Sequence, residues 1–177
     1  MIDLKQQIFA AFDSVKRDPN QTLHQAQYTD NGMSEDFSAA EYRQAAKKDN
    51  DKHWLEIPLA TLIACDAAMS HATLQNWRYF LAAILWQAVD AVKRHDFDDV
   101  LINRVFFTLH YQEWEKSIKN TYYLNRFETL NRPQIDAIKR FLQLCEAESL
   151  KEIETTVAFW QFNDTTKRVF ESYWVNV

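Results

Sequence analysis

Apolar residues recur along this chain every three or four positions, the spacing of one helix face rather than the alternation of a strand. Leu4, Ile8, Phe12 and Val15 form the first such stripe and predict a helix from Leu4 to Lys16, with Asp3 as its cap. Arg17-Asp18-Pro19-Asn20 ends it, because proline disfavours helix in the residue before it. Residues 18–37 carry no stripe and hold Pro19, Asn20, Asp30, Asn31 and Gly32, so they read as an exposed, mobile loop. Ser38 and Glu41, three apart, match a capping box that opens a second helix ending near Lys47-Lys48. Trp54 anchors a short connection, and Pro58 suits the first turn of a third helix through Leu59, Leu62, Ile63, Cys65 and Met69.

The segment from about Leu74 to Arg94, capped by Thr73, departs from this one-sided pattern. Trp77, Phe80, Leu81, Ile84, Leu85, Ala88 and Val92 share a face, yet Tyr79, Ala82, Ala83, Trp86 and Val89 lie on the others. A helix apolar nearly all round is enclosed by its neighbours, so this is the central helix of the fold. Asp98 can cap a helix through Val100, Leu101, Val105, Phe106 and Leu109, with Tyr111, Trp114 and Ile118 as its continuation. Residues 120–129 show no clear period. Asn131 opens a helix through Ile135, Ile138, Phe141, Leu142 and Cys145; Ser149 caps one through Ile153, Val157 and Trp160. Asp164 caps the last, with Val169, Phe170, Tyr173 and Trp174. The whole pattern, without internal repeats, predicts an all-α protein: one irregular multi-helix bundle of roughly seven to nine helices around the buried central helix, as a single domain over residues 1–177.

Composition sharpens this. The 177 residues contain 1 glycine, where average usage gives about a dozen. Hairpin turns and phosphate-cradling loops both need glycine, so sheet-rich, P-loop and dinucleotide-binding folds are disfavoured. Hydrophobic residues make up 47% and aromatic ones 14%, enough for a core. Lys+Arg 20 against Asp+Glu 25 gives a net charge of -5, which argues against a nucleic-acid binder. The N-terminus lacks a basic region followed by an apolar one, and no apolar run approaches a membrane span. Cys65 and Cys145 are far apart and predict reduced, buried thiols. These features predict a cytoplasmic protein, off the membrane.

Several stretches resemble a known bacterial family, domain of unknown function 6714. Its central motif reads approximately Leu-Thr-Pro-Glu-Ala-Phe-Arg-Tyr-Tyr-Leu-Pro-Ala, and the run Thr73-Leu74-Gln75-Asn76-Trp77-Arg78-Tyr79-Phe80-Leu81-Ala82-Ala83 is similar to it. Trp54 with Ile57-Pro58, Leu130-Asn131-Arg132-Pro133-Gln134 and Tyr173-Trp174 look like its flanking segments. The resemblance runs from about Trp54, leaves the first 50 residues poorly covered, and allows an insertion between about Leu109 and Phe127. Leu74 and Ala82 stand where the family motif has prolines. What the resemblance implies is a fold; it brings no catalytic role.

Candidate chemistry is sparse. Arg78 and Tyr79 sit in the apolar central helix, where a guanidinium needs acidic or carbonyl partners. Arg78 is either an anion clamp in an inter-helix pocket or a structural ion pair between helices. His95, Asp96, Asp98 and Asp99 cluster, but at a helix junction where aspartates serve as caps. His110 and Glu113 have the reverse of the Glu-x-x-His order of di-iron bundles. No catalytic, cofactor or metal residues are assigned. Trp114 and Trp160, flanked by polar residues, are candidate interaction residues. The leading expectation is a non-enzymatic binder of another protein, inhibitor- or immunity-like; the alternative is a ligand-binding protein or enzyme with a pocket near Arg78.

Overall fold

In the computed structural model, which describes residues 3–31, 38–96, 99–110, 125–149, 167–169 and positions 171, 174 and 177, the regular elements are helical throughout. In order they are α1 (Leu4–Phe12), α2 (Leu23–Asn31), α3 (Ala39–Ala46), a 3₁₀ turn (Trp54–Glu56), α4 (Leu59–Ala64), α5 (Ala68–His71), α6 (Leu74–Lys93), α7 (Val100–Leu109) and α8 (Arg132–Ser149). Residues 125–128, also helical, precede α8. The all-α bundle follows the apolar periodicity, and α6 is its axis: 13 of its 20 residues are buried. Helices α1, α4, α5, α7, α8 and the 3₁₀ turn all pack on it. That is why its alanines and aromatics face every direction.

Helix starts follow the sequence closely. Thr73 accepts from Asn76 N, and Ser38 from Glu41 N. The capping box at Ser38 is relayed: Tyr28 donates its hydroxyl to Glu41 at 2.6 Å and accepts from Ser38 N at 3.2 Å. At α8 the box closes fully. Asn131 Oδ1 accepts from Gln134 N at 3.0 Å, and Gln134 Oε1 accepts from Asn131 N at 3.1 Å. Asp99, one residue after the expected Asp98, caps α7 through Leu101 N. Asp98 lies outside the described residues. Asp3 occupies the first cap position but makes no capping bond; Lys93 donates to it instead.

Helix ends depart from expectation, and the departures share one cause. The last carbonyls of a helix need donors, and glycine in the left-handed conformation usually lets the chain supply them. Here side chains distant in sequence supply them. α1 stops at Phe12, short of Lys16, where Trp54 Nε1 donates to Phe12 O (3.0 Å) and Gln134 Nε2 to Ala11 O (3.3 Å). The expected third helix is broken into α4 and α5, because Arg104 donates to the carbonyls of Leu62, Ile63 and Cys65. Arg126 donates to Ser70 O and Ala72 O at the end of α5, and Trp174 Nε1 to Leu109 O at the end of α7. Two ends close on their own backbone: α3, where Lys47 N and Lys48 N bond Gln44 O and Ala45 O, and α6. His95 N bonds Val92 O and Asp96 N bonds Ala91 O, with His95 at φ 58 where glycine is usual.

Part of the loop expected at 18–37 is a helix. α2 packs on α5 and α3 and buries Leu23 and Ala26. Its sequence has no apolar stripe because glutamine amides do the docking: Gln25 accepts from Thr22 N and donates to Tyr42 O, and Gln27 accepts from Ala67 N. Upstream, Gln21 accepts from Thr73 N and donates to His71 O, and fully buried Asn76 bonds Gln21 O and Asp18 N. Ser149 ends α8 by donating to Glu146 O; the helix it was expected to cap, and Asp164, lie outside the described residues.

Candidate functional site

Consecutive residues on a helix point about 100° apart, and α6 uses this to send Arg78 and Tyr79 to different places. Tyr79 is fully buried and donates its hydroxyl to Asp51 at 2.8 Å, while Arg17 donates to the other oxygen of that carboxylate at 3.0 Å. Burial, then the bond to Asp51, pushes the Tyr79 phenol well above its ordinary value. It is a fixed donor that ties the segment before the 3₁₀ turn to α6.

Arg78 goes the other way. It donates through Nη1 to Thr129 O at 3.1 Å, just past residues 125–128. Its Nε is sealed and makes no hydrogen bond, and among the described residues no carboxylate pairs with it. Among the described residues Arg78 thus makes a single carbonyl contact. Beside the guanidinium opens a cleft of about 400 Å³, lined by Ser14, Val15, Lys16, Gln75, Arg78, Asn131 and Gln134. Three elements meet there: the end of α1, the first turns of α6 and the start of α8. Gln75 donates to Lys16 O at 2.9 Å and so fixes the backbone on which Lys16 stands.

A second concavity of about 310 Å³ holds Asp49, Asp51 and Glu56, but each carboxylate is engaged. Asp49 accepts from His24, Asp51 from Tyr79 and Arg17, and Glu56 from Lys52 N, which lowers the Glu56 pKa. His95, from the expected histidine–aspartate cluster, sits 3.2 Å from Glu148 on α8. Among the described residues no group of three or more His, Cys, Asp and Glu could hold a metal, and no helix is long and apolar enough to cross a membrane. Cys65 and Cys145 are free and buried.

Elsewhere, α4 and α7 carry exposed large apolar side chains. Leu59 and Ile63, four apart, share the outer side of α4, and Val100 and Phe107, seven apart, that of α7. Phe107 is 56% exposed. Arg104 holds the two helices together from within. Trp54, Trp77 and Trp174 are buried in the core; Trp114 and Trp160 lie outside the described residues. The buried polar residues Gln21, Asn76, Arg104 and Arg126 were not foreseen. Only Arg104 gave a signal, as a lone cation within an apolar helix.

The chain belongs to DUF6714, a family of unknown function whose model matches residues 1–177. The match includes the first 50 residues, which the motif resemblance left poorly covered. No curated protein and no solved structure matches the chain.

Proposed function

We propose that this DUF6714 protein works by binding another protein through the outer sides of α4 and α7, as an inhibitor- or immunity-type partner rather than by catalysis. The supporting observation is Phe107, 56% exposed, with Leu59, Ile63 and Val100 also exposed on two helices that Arg104 locks together. A rigid aromatic and aliphatic surface of this kind loses little conformational freedom when covered, and aromatic anchors carry much of the energy of an interface. The net charge of -5 favours a partner with a basic rim. The test is stoichiometric recovery of a partner from the native lysate by wild type and by Phe107→Ser and Ile63→Ser. Both variants should keep stability within about 0.5 kcal/mol of wild type, as surface changes do, and lose the partner. Recovery unchanged in both overturns the reading.

A second reading, a small-ligand-binding protein or enzyme, is favoured by one observation: Arg78 has no carboxylate partner among the described residues and opens on a cleft of about 400 Å³. That volume falls within the roughly 300–1,000 Å³ of small-molecule sites.

A further inference from the structure

We propose that the Arg78 cleft binds a small organic carboxylate, an inference that rests on the second reading above. Charge is the first argument. In a chain of net charge -5, this cleft is lined by two cations, Arg78 and Lys16, and by no carboxylate. Neither cation has an acidic partner among the described residues, whereas Arg17 pairs with Asp51 and Arg132 with Asp136. A cation whose counter-charge is missing at a concave site is complementary to an anion.

The donor geometry narrows the class. One N–H of Arg78 Nη1 is held by Thr129 O and Nε is sealed, so the second N–H of Nη1 and the two of Nη2 are left for a ligand. The two-pronged Nε edge, with which arginine grips carboxylates and phosphates alike, is closed. What remains is the Nη end of the guanidinium and one ammonium, which the two oxygens of a single carboxylate can share. Ser14 and Asn131 add neutral polar groups, and the volume leaves space for a carbon skeleton of several atoms. The walls are set before any ligand arrives: Thr129 O fixes Arg78, Gln75 fixes the Lys16 backbone, and the Asn131–Gln134 box fixes the start of α8. Such preorganisation lowers the ordering entropy that binding costs.

The test is calorimetric titration at low salt with succinate, citrate, inorganic phosphate and succinamide, the neutral diamide of succinate, each to about 10 mM to reach millimolar dissociation constants. Succinate or citrate should bind saturably and more weakly as salt rises, while succinamide should not bind. Lys16→Glu, on the exposed side of the cleft, should weaken binding by about ten- to a hundredfold with the thermal midpoint unchanged. Arg78→Gln should do the same, and Arg78→Lys should not restore it. Succinamide binding as tightly as succinate, with loss in Arg78→Gln, would overturn the carboxylate class and leave the cleft as a ligand site. Binding of phosphate alone would also overturn it. Binding indifferent to both Lys16→Glu and Arg78→Gln, or no binding by any probe, would overturn the site with its ligand.

Discussion

Arg104 carries a full charge into the interior, 7% exposed, and answers it with backbone carbonyls of Leu62, Ile63 and Cys65. Burial lowers its pKa from the ordinary value, but a guanidinium keeps its proton in proteins. Arg104→Met should therefore cost about 2–4 kcal/mol in urea unfolding, since it orphans buried carbonyls. Arg104→Lys should recover little of that, because a point donor cannot span three acceptors. A loss below about 1 kcal/mol for Arg104→Met would contradict the assignment. Cys65 behaves oppositely, as a buried neutral group whose thiol is pushed up to about 11, first by burial and then by Asp49. Unfolded, it ionises near 9.0. Between those values the unfolded chain holds fewer protons than the folded one, so stability falls as pH rises and the contribution is complete below the lower value. Native thiols should resist an aromatic disulfide reagent near neutral pH and react on unfolding; rapid native labelling would place one of them at the surface.

Between elements, the end of α6 is a boundary that closes on its own backbone. His95 takes the left-handed conformation there, at φ 58, and its ring meets Glu148. Comparing two variants that both lack the imidazole isolates the backbone: His95→Gly should be more stable than His95→Ala by about 1 kcal/mol. Equal thermal midpoints would refute the strain. This contrast also explains which boundaries the sequence made legible. Starts at Ser38, Thr73 and Asn131 were readable because a cap and its N–H partner lie three residues apart. Stops at Phe12 and Ala64 were not, since their donors, Trp54, Gln134 and Arg104, are some 40 to 120 residues away. α2 was illegible for a related reason, as beside Leu23 and Ala26 it docks through Gln25 and Gln27, whose value lies in remote carbonyls and amides. The Arg78 cleft was half legible: the arginine stood out within the apolar α6, but nothing local shows that it donates to Thr129 O.

At the scale of the molecule, α6 is packed from all sides through small residues as well as large ones. Ala82 and Ala88 are fully buried, so the helices around them have no room to yield. Ala88→Leu should lower stability by about 1–3 kcal/mol, read as a lower urea midpoint with an unchanged slope; an unaffected midpoint would reveal free space beside α6. The remote capping of the helix ends has a consequence in time. Arg104 and Arg126 are synthesised well after residues 59–71, so the nascent segment has apolar spacing for one helix and no donor to divide it. Excised as a peptide, it should populate a continuous helix across Cys65. In the whole chain the break is imposed by contacts spanning about 40 residues, whose loop-closure cost makes them form late. Arg104→Met should then leave the refolding rate nearly untouched and accelerate unfolding, which makes this arginine a clasp on the finished protein rather than a guide to its assembly.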